Sequence, residues 1–306
     1  YNRTAMVEYQ VDSSGQTIMP SPWEKEEFNA ALEWERKARE GLLKPIPCIS
    51  GWMDICGFGS RLESAAWDLQ KLQTSGMVNI LSEAYSRVGH PLWTGVSPAP
   101  HEIILVLNDG IARTVDLLHP EYTDAVQAIF YVRNIVLAHL NLLRLTHKSK
   151  LGVRAVIAGG ERIQFSPTQF TGNMILHHEY PPSKIGKKLL DQNFLYNPAE
   201  IQMNTAFAKA YTIDSKGSKY GFTINGLFLE ESFFDKISII EGLEIDIGES
   251  SILMTRSQLS DLRLSIKETI DFNYLGLQTK IYSIDAVTVG TLESEETFID
   301  LVNFGI

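Results

Sequence analysis

The sequence predicts an α+β fold: an antiparallel sheet with helices on one face. Three observations carry this. Segments follow in the order β-αα-ββ-α-β with a later helix, which is not the regular βα alternation of a doubly wound sheet. Asn108-Asp109-Gly110 separates two β-rich runs, 103–107 and 111–115, which is a strong hairpin signal. From about residue 219, short β-rich runs recur at 221–229, 237–247, 250–255, 268–274 and 278–289.

The elements read as follows. Residues 1–20 are polar and form an arm or an edge strand. Ser21-Pro22-Trp23-Glu24 starts a helix, with a capping serine, Pro at the first position and Glu at the third, and it runs to about Gly41. The apolar residues 46–49 lead a strand into Ser50-Gly51-Trp52-Met53-Asp54-Ile55-Cys56-Gly57-Phe58-Gly59-Ser60. This stretch reads as a strand ending in an acid, a tight glycine turn, and a helix opened by a Ser60-x-x-Glu63 capping box. Helices are expected over 61–75, stopping at Gly76, and over 77–89. Beyond the hairpin, 120–148 is a long core helix, with Val126, Ile129, Val132, Val136 and Leu140 on a helical period. A strand over 153–158 ends at Gly159-Gly160, another covers 173–178, and a helix covers 200–212. The apolar end, 298–306, docks on the body. The expected division is an N-terminal arm and helix at 1–44, a main domain at 45–230, and a β-rich extension packed on the core at 231–306.

A chain of 306 residues with 44% hydrophobic content can bury a full core. Its net charge of −10 argues against a nucleic-acid partner, though not against a nucleotide whose charge a metal offsets. Cys48 and Cys56 would lie about 26 Å apart in an extended segment, beyond the ~7 Å a disulfide allows. Reduced thiols suit a cytoplasmic protein. His101, His119 and His139 are far from them in sequence, so no zinc spacing appears. No apolar run reaches the roughly 18 residues that span a bilayer, no signal peptide is visible, and no membrane partner is expected.

The chemistry concentrates at the strand–turn–helix stretch. Backbone N–H groups at a glycine turn and helix start favour an anion. A carboxylate beside them, Asp54, can hold a hard cation. A metal-bound polyphosphate needs both features together, whereas an ordinary connection would leave Asp54 facing solvent. Asp109 sits at the hairpin turn, where Asp-Gly is also favoured for backbone reasons alone. If the hairpin lies beside the first strand, Asp54 and Asp109 meet at one end of the sheet. Paired carboxylates there could hold two divalent ions on a triphosphate.

Asp54-Ile55-Cys56-Gly57-Phe58 resembles the Asp-Ile-x-Gly-Phe signature of class III nucleotidyl cyclases. Asn108-Asp109-Gly110 resembles their Gly-Asp hairpin, with Asn in place of Gly. The run from Val153 to Glu161 is similar to the family's Arg-x-Gly-Ile-x-x-Gly-Glu strand, and Met203-Asn204-Thr205-Ala206-Phe207-Ala208 to its Val-Asn-x-Ala segment. The four matches fall in family order over about 45–220.

The resemblance implies a ferredoxin-like core at 45–230 and head-to-tail homodimers with active sites at the interface. It implies cyclisation of a nucleoside triphosphate to a 3′,5′-cyclic monophosphate and pyrophosphate, with two divalent metal ions, Mn²⁺ or Mg²⁺. Asp54, Asp109 and the Ile55 carbonyl would bind metal. Gly57, Phe58 and Gly59 would offer N–H groups to the phosphates, and Asn204 would orient the ribose.

The base-reading slots hold Leu105 and Asn197, where purine cyclases carry Lys or Glu and, in adenylyl cyclases, Asp. The transition-state Arg slot holds Ala208, so Lys209, one step on, is the candidate stand-in, beside Arg113 and Arg154. These departures resemble the pyrimidine (uridylate or cytidylate) cyclases of bacterial Pycsar antiphage defence, whose product activates a separate effector. That implies UTP, ahead of CTP, as substrate. Two other readings keep the same residues: a purine cyclase with an atypical pocket, and a nucleotide-binding sensor without turnover.

Overall fold

The computed structural model describes residues 10–11, 17–18, 33, 36–88, 102–117, 125–163, 201–256, 260–291 and 294–300. The chain divides into two compact units, 1–45 with 163–203, and 46–162 with 204–306. In the first, β1 (Gln10–Val11) pairs antiparallel with β2 (Thr17–Ile18). Residues 36–39 are helical, and the chain turns at Gly41 with φ 68, a left-handed conformation that glycine adopts without strain. The expected helix start at Ser21, the strand at 173–178 and Asn197 lie outside the described residues.

The second unit begins with β3 (Ile46–Cys56). It runs two residues past Asp54, so the acid lies within the strand and not at its end. Gly57 then takes φ 95, and α1 (Phe58–Ser64) starts at once. Ser60 and Glu63 therefore lie inside the helix, and no side chain caps it, contrary to the capping-box expectation. The helix expected over 61–75 is also two helices. Ala66 and Trp67, at φ 52 and 59, break it. The side chain of Asp68 then accepts from the backbone N–H groups of Gln70 and Lys71 to start α2 (Leu69–Thr74). α3 (Met77–Arg87) follows Gly76, at φ 80.

β4 (Ile103–Leu107) and β5 (Gly110–Asp116) form the hairpin. Its two-residue turn is Asn108-Asp109, with Asn108 at φ 55 and Gly110 already paired. α4 (Ala125–His147) crosses the sheet to β6 (Gly152–Arg162). These elements give a β-α-β-β-α-β sequence whose strands lie in the order β4-β5-β3-β6, every neighbouring pair antiparallel. That is the ferredoxin-like arrangement.

Side chains alternate across a strand, so close contacts assign the faces. A Cβ on Gly51 would lie 2.6 Å from Ile135 of α4. Trp52 instead meets Phe207 and Tyr211 of α5 (Thr205–Lys216) edge-on, at 5.8 and 5.3 Å. The α+β class and antiparallel sheet are as expected, and α5 adds a helix on the face away from α4. Gly159-Gly160 does not end a strand. A Cβ on Gly159 would fall 2.1 Å from the Ser232 carbonyl oxygen, and one on Gly160 would fall 2.4 Å from the Ala206 nitrogen. Each glycine admits a helix to one face of β6.

β7 (Leu227–Glu230) pairs parallel with β6. The strand expected over 237–247 is instead α6 (Ser232–Ile237), a turn, and β8 (Glu244–Ile247). β9 (Ser251–Arg256), β10 (Ser260–Tyr274), β11 (Leu277–Thr291) and β12 (Ser294–Asp300) follow. The ten-stranded sheet runs β4-β5-β3-β6-β7-β11-β10-β9-β8, with β12 on β11. The expected boundary at 230 thus falls inside one continuous sheet. Within α4, Gln127–His147 is long and apolar enough to cross a bilayer, but it packs in the core, with Ile129, Val132, Ile135 and Val136 at most 1% exposed.

Candidate active site

Strand pairing brings the two sequence-predicted acids together. Asp54 stands opposite Gly110, and the Ile55 N–H donates to the Asp109 carbonyl at 3.0 Å. The hairpin tip is therefore fastened near the end of β3, two residues before the Gly57 turn. Asp54, like Trp52, projects on the α5 face. Leu105 shares that face, since it pairs with Ala112, which pairs with Trp52.

The electrostatics of the pair are unfavourable as they stand. The Asp54 carboxyl is pushed up to about 7, first by burial, then by the carboxylates of Asp214 and Asp109, against the pull of Arg154 and a hydrogen bond with Cys56. Asp109 is also raised, by burial first and with Asp214 adding to it, while its own backbone N–H acts in the opposite direction. Such a pair accepts a cation readily, because a cation reverses the repulsion. Two carboxylates and the Ile55 carbonyl are hard oxygen donors of the kind that suit Mg²⁺ or Mn²⁺. Among the described residues no group of three or more His, Cys, Asp and Glu is arranged around a metal. Two carboxylates completed by substrate phosphate oxygens is the usual Mg²⁺ arrangement, so the residues fit that ion.

Asp214 was missed by the sequence reading, since 160 residues separate it from Asp54. Its signal was weak: an acid in the last turn of α5 opposes the helix dipole, so something else must hold it there. Trp52 Nε1 donates to it at 3.0 Å, and Arg154 donates to its carboxylate through Nε and to its carbonyl through Nη2. Arg154 Nη1 goes to the Phe222 carbonyl. Arg154 is thus fixed beside Asp54 by groups of its own chain.

The other predicted residues separate from this cluster. Asn204 caps α5, accepting from the Phe207 N–H at 2.9 Å, and donates to Thr114 Oγ1 at 3.0 Å. Its oxygen also lies 3.5 Å from both Ser50 Oγ and Cys48 Sγ. Ser50 precedes Asp54 by four residues, so Asn204 stands about 13 Å along the strand from the acids. Lys209 Nζ binds the Gly159 carbonyl and Ser232 Oγ and faces the buried Glu230 at 3.8 Å. Arg113, opposite Gly51, is buried on the α4 face and paired with Glu102, away from Asp54. Gly57 and Gly59 are exposed beside the acids, and the Phe58 ring is buried as an anchor.

No protein-family profile matches the chain, and no curated protein matches it. Among solved structures, the chain is similar to the adenylyl cyclase CyaB from P. aeruginosa at 14% identity and a TM-score of 0.41, covering 79% of this chain and 94% of that one. It is similar to the dimeric guanylyl cyclase domain of the RhoGC fusion protein from the aquatic fungus Blastocladiella emersonii at 11% identity and a TM-score of 0.39, covering 79% and 97%. An adenylate/guanylate cyclase/hydrolase from Silicibacter pomeroyi follows at 8% identity and a TM-score of 0.35, covering 79% and 97%.

Proposed function

We propose that this chain is a metal-dependent nucleotidyl cyclase that converts UTP, and less readily CTP, to the 3′,5′-cyclic monophosphate and pyrophosphate. The observation that carries the reading is the fastening of Asp109 to Ile55 across from Asp54, beside an exposed glycine turn. It places two carboxylates next to an exposed glycine turn at the end of one strand pair.

In the reaction, the ribose 3′ oxygen attacks the α-phosphorus. The bond from that phosphorus to the bridging oxygen breaks, pyrophosphate leaves, and the 3′ proton passes to solvent. Divalent ions held by Asp54, Asp109 and the Ile55 carbonyl would supply charge neutralisation and acidify the 3′ hydroxyl. The chain's own residues bind and orient. The N–H groups at Gly57, Phe58 and Gly59 face the phosphates, Leu105 offers an apolar wall suited to a small pyrimidine ring, and Asn197 is the second base-reading residue.

Asn204 stands too far along β3 to share a ribose phosphate with the acids of its own chain. This supports a homodimer in which Asn204 of one subunit completes the site of the other. The resemblance to the Pycsar cyclases supports a role in antiphage signalling through a separate effector, and the free buried thiols of Cys48 and Cys56 accord with the cytoplasm. Lys209, held by Glu230 and Gly159, would have to leave its partners to serve the transition state. That engagement favours, as a second reading, a nucleotide-binding sensor without turnover.

The test is Asp54→Asn and Asp109→Asn beside the unaltered protein. Each variant is expected to lose cyclic product by more than about a thousandfold, as removal of a metal carboxylate does. The thermal midpoint should hold, because each change removes a repelled, partly buried charge. Equal product from the variants would overturn the reading. No product from any of the three, with nucleotide still bound, would favour the sensor.

A further inference from the structure

We infer that a second, cationic pocket next to the Gly57 turn binds a phosphoanion. The cavity, of about 360 Å³, lies between α1, the start of α3 and the turn that ends α4. Arg61, Lys148 and Lys150 line it together with the hydroxyl residues Ser75 and Ser149, and among the described residues no acid lines it. Three cations around one cavity stand out in a chain of net charge −10.

The local structure aims these groups. α4 ends in a tight turn, with the Lys150 N–H donating to the His147 carbonyl at 3.0 Å and the Leu151 N–H to the Thr146 carbonyl at 3.3 Å. Such a turn needs a left-handed residue, normally glycine, yet this chain places Lys150 there at φ 56. Arg61 arrives from a different element, and its Nη2 donates to the Ser149 carbonyl, which fixes the guanidinium at the rim. The remaining fork of an arginine between two lysine point charges is a general recognition chemistry for phosphate.

Cations at a helix C-terminus also offset its dipole. The dipole accounts for Lys148 and Lys150 but not for Arg61, nor for the cavity between them. Leu151 forms part of the pocket wall and lies 3.1 Å from where a Cβ on Gly57 would sit, so pocket and turn are contiguous. The anion is either the tail of a nucleotide seated at that turn or a free polyphosphate.

The test uses inorganic tripolyphosphate as probe, by titration calorimetry in EDTA at low salt, which removes any dependence on metal or turnover. The unaltered chain and Asp54→Asn are expected to bind it equally. Lys148→Ala/Lys150→Ala should bind at least about tenfold more weakly, as the loss of two charge-assisted contacts requires, with the fold retained and the thermal midpoint lowered only by the small dipole contribution of two exposed cations. Lys219→Ala/Lys267→Ala, which removes two exposed cations elsewhere, should bind like the unaltered chain. Displacement of the probe by UTP in Mg²⁺ from the unaltered chain but not from Asp54→Asn identifies the anion as a nucleotide tail. Absence of displacement identifies it as free polyphosphate. No binding of the probe, or equal weakening by both lysine pairs, overturns the proposal.

Discussion

Asp54 and His139 show what burial does to single titratable groups in this chain, with opposite consequences. Asp54 is raised by burial first, with the carboxylates of Asp214 and Asp109 adding to it. His139 is buried in α4 and held neutral, down at about 4, by desolvation, while its Nε2 contact with the Asn225 carbonyl, at 3.2 Å, acts the other way. Between the ordinary histidine value of 6.5 and about 4, the unfolded chain binds a proton that the folded chain refuses. The histidine's own contribution to stability therefore falls as pH falls through that window, by about 2 kcal/mol on reaching pH 5. Protonation of Asp54, raised to about 7, adds stability over the same range, so the histidine's part is read by comparison: in urea titrations at pH 7.5 and 5, His139→Gln should fare better at the lower pH, relative to the unaltered chain, by about that amount. The residue chemistry was legible where it was local. Asp109 could be placed because Asn-Asp-Gly marks a hairpin, and the wide spacing of Cys48 and Cys56 because a continuous strand holds them apart. Asp214 was not legible, since only the packing of α5 on β3 brings it to Trp52 and Arg154.

At the scale of elements, the strands were easier to read than their limits. Hydrophobic runs located β3, β5 and β6, but Gly159-Gly160 looked like a stop because glycine usually punctuates a chain. Its actual role is clearance, which depends on the tertiary partners Ser232 and Ala206. Gly159→Ala pushes a methyl into the backbone at the start of α6 and should cost about 1–3 kcal/mol, read as a lower midpoint in thermal denaturation. The break after α1 was hidden for a similar reason. Nothing in Ala66 or Trp67 announces a left-handed conformation, and the stop is set by the Asp68 cap that follows. Asn204 was read as a ribose ligand from its motif, and its structural task as the cap of α5 shows only once Phe207 and Thr114 are in place. Asn204→Ala should cost about 1–2 kcal/mol in stability through the lost cap, as well as any activity.

The larger unit is organised by one sheet whose ferredoxin-like half carries the acids and whose C-terminal half extends it. The α+β class was legible because the Asn108-Asp109-Gly110 hairpin breaks any regular strand–helix alternation. The continuity of the sheet through β7 was not, since a parallel pairing across a crossover leaves no local mark. The same scale holds the strongest test of the proposed dimer. Asp54→Asn and Asn204→Ala, each inactive alone, should recover about a quarter of full activity when mixed and allowed to exchange, because half the dimers are mixed and each holds one intact site. No recovery would place both residues in a site within one chain. The central claim, that this chain cyclises a nucleoside triphosphate, is tested most directly by incubating it with Mn²⁺ and each of the four ribonucleoside triphosphates and identifying the products by mass spectrometry. The account predicts cyclic UMP as the main product, with pyrophosphate. Cyclic AMP or cyclic GMP as the main product would contradict the pyrimidine assignment, and no cyclic nucleotide from any of the four would contradict the cyclase itself.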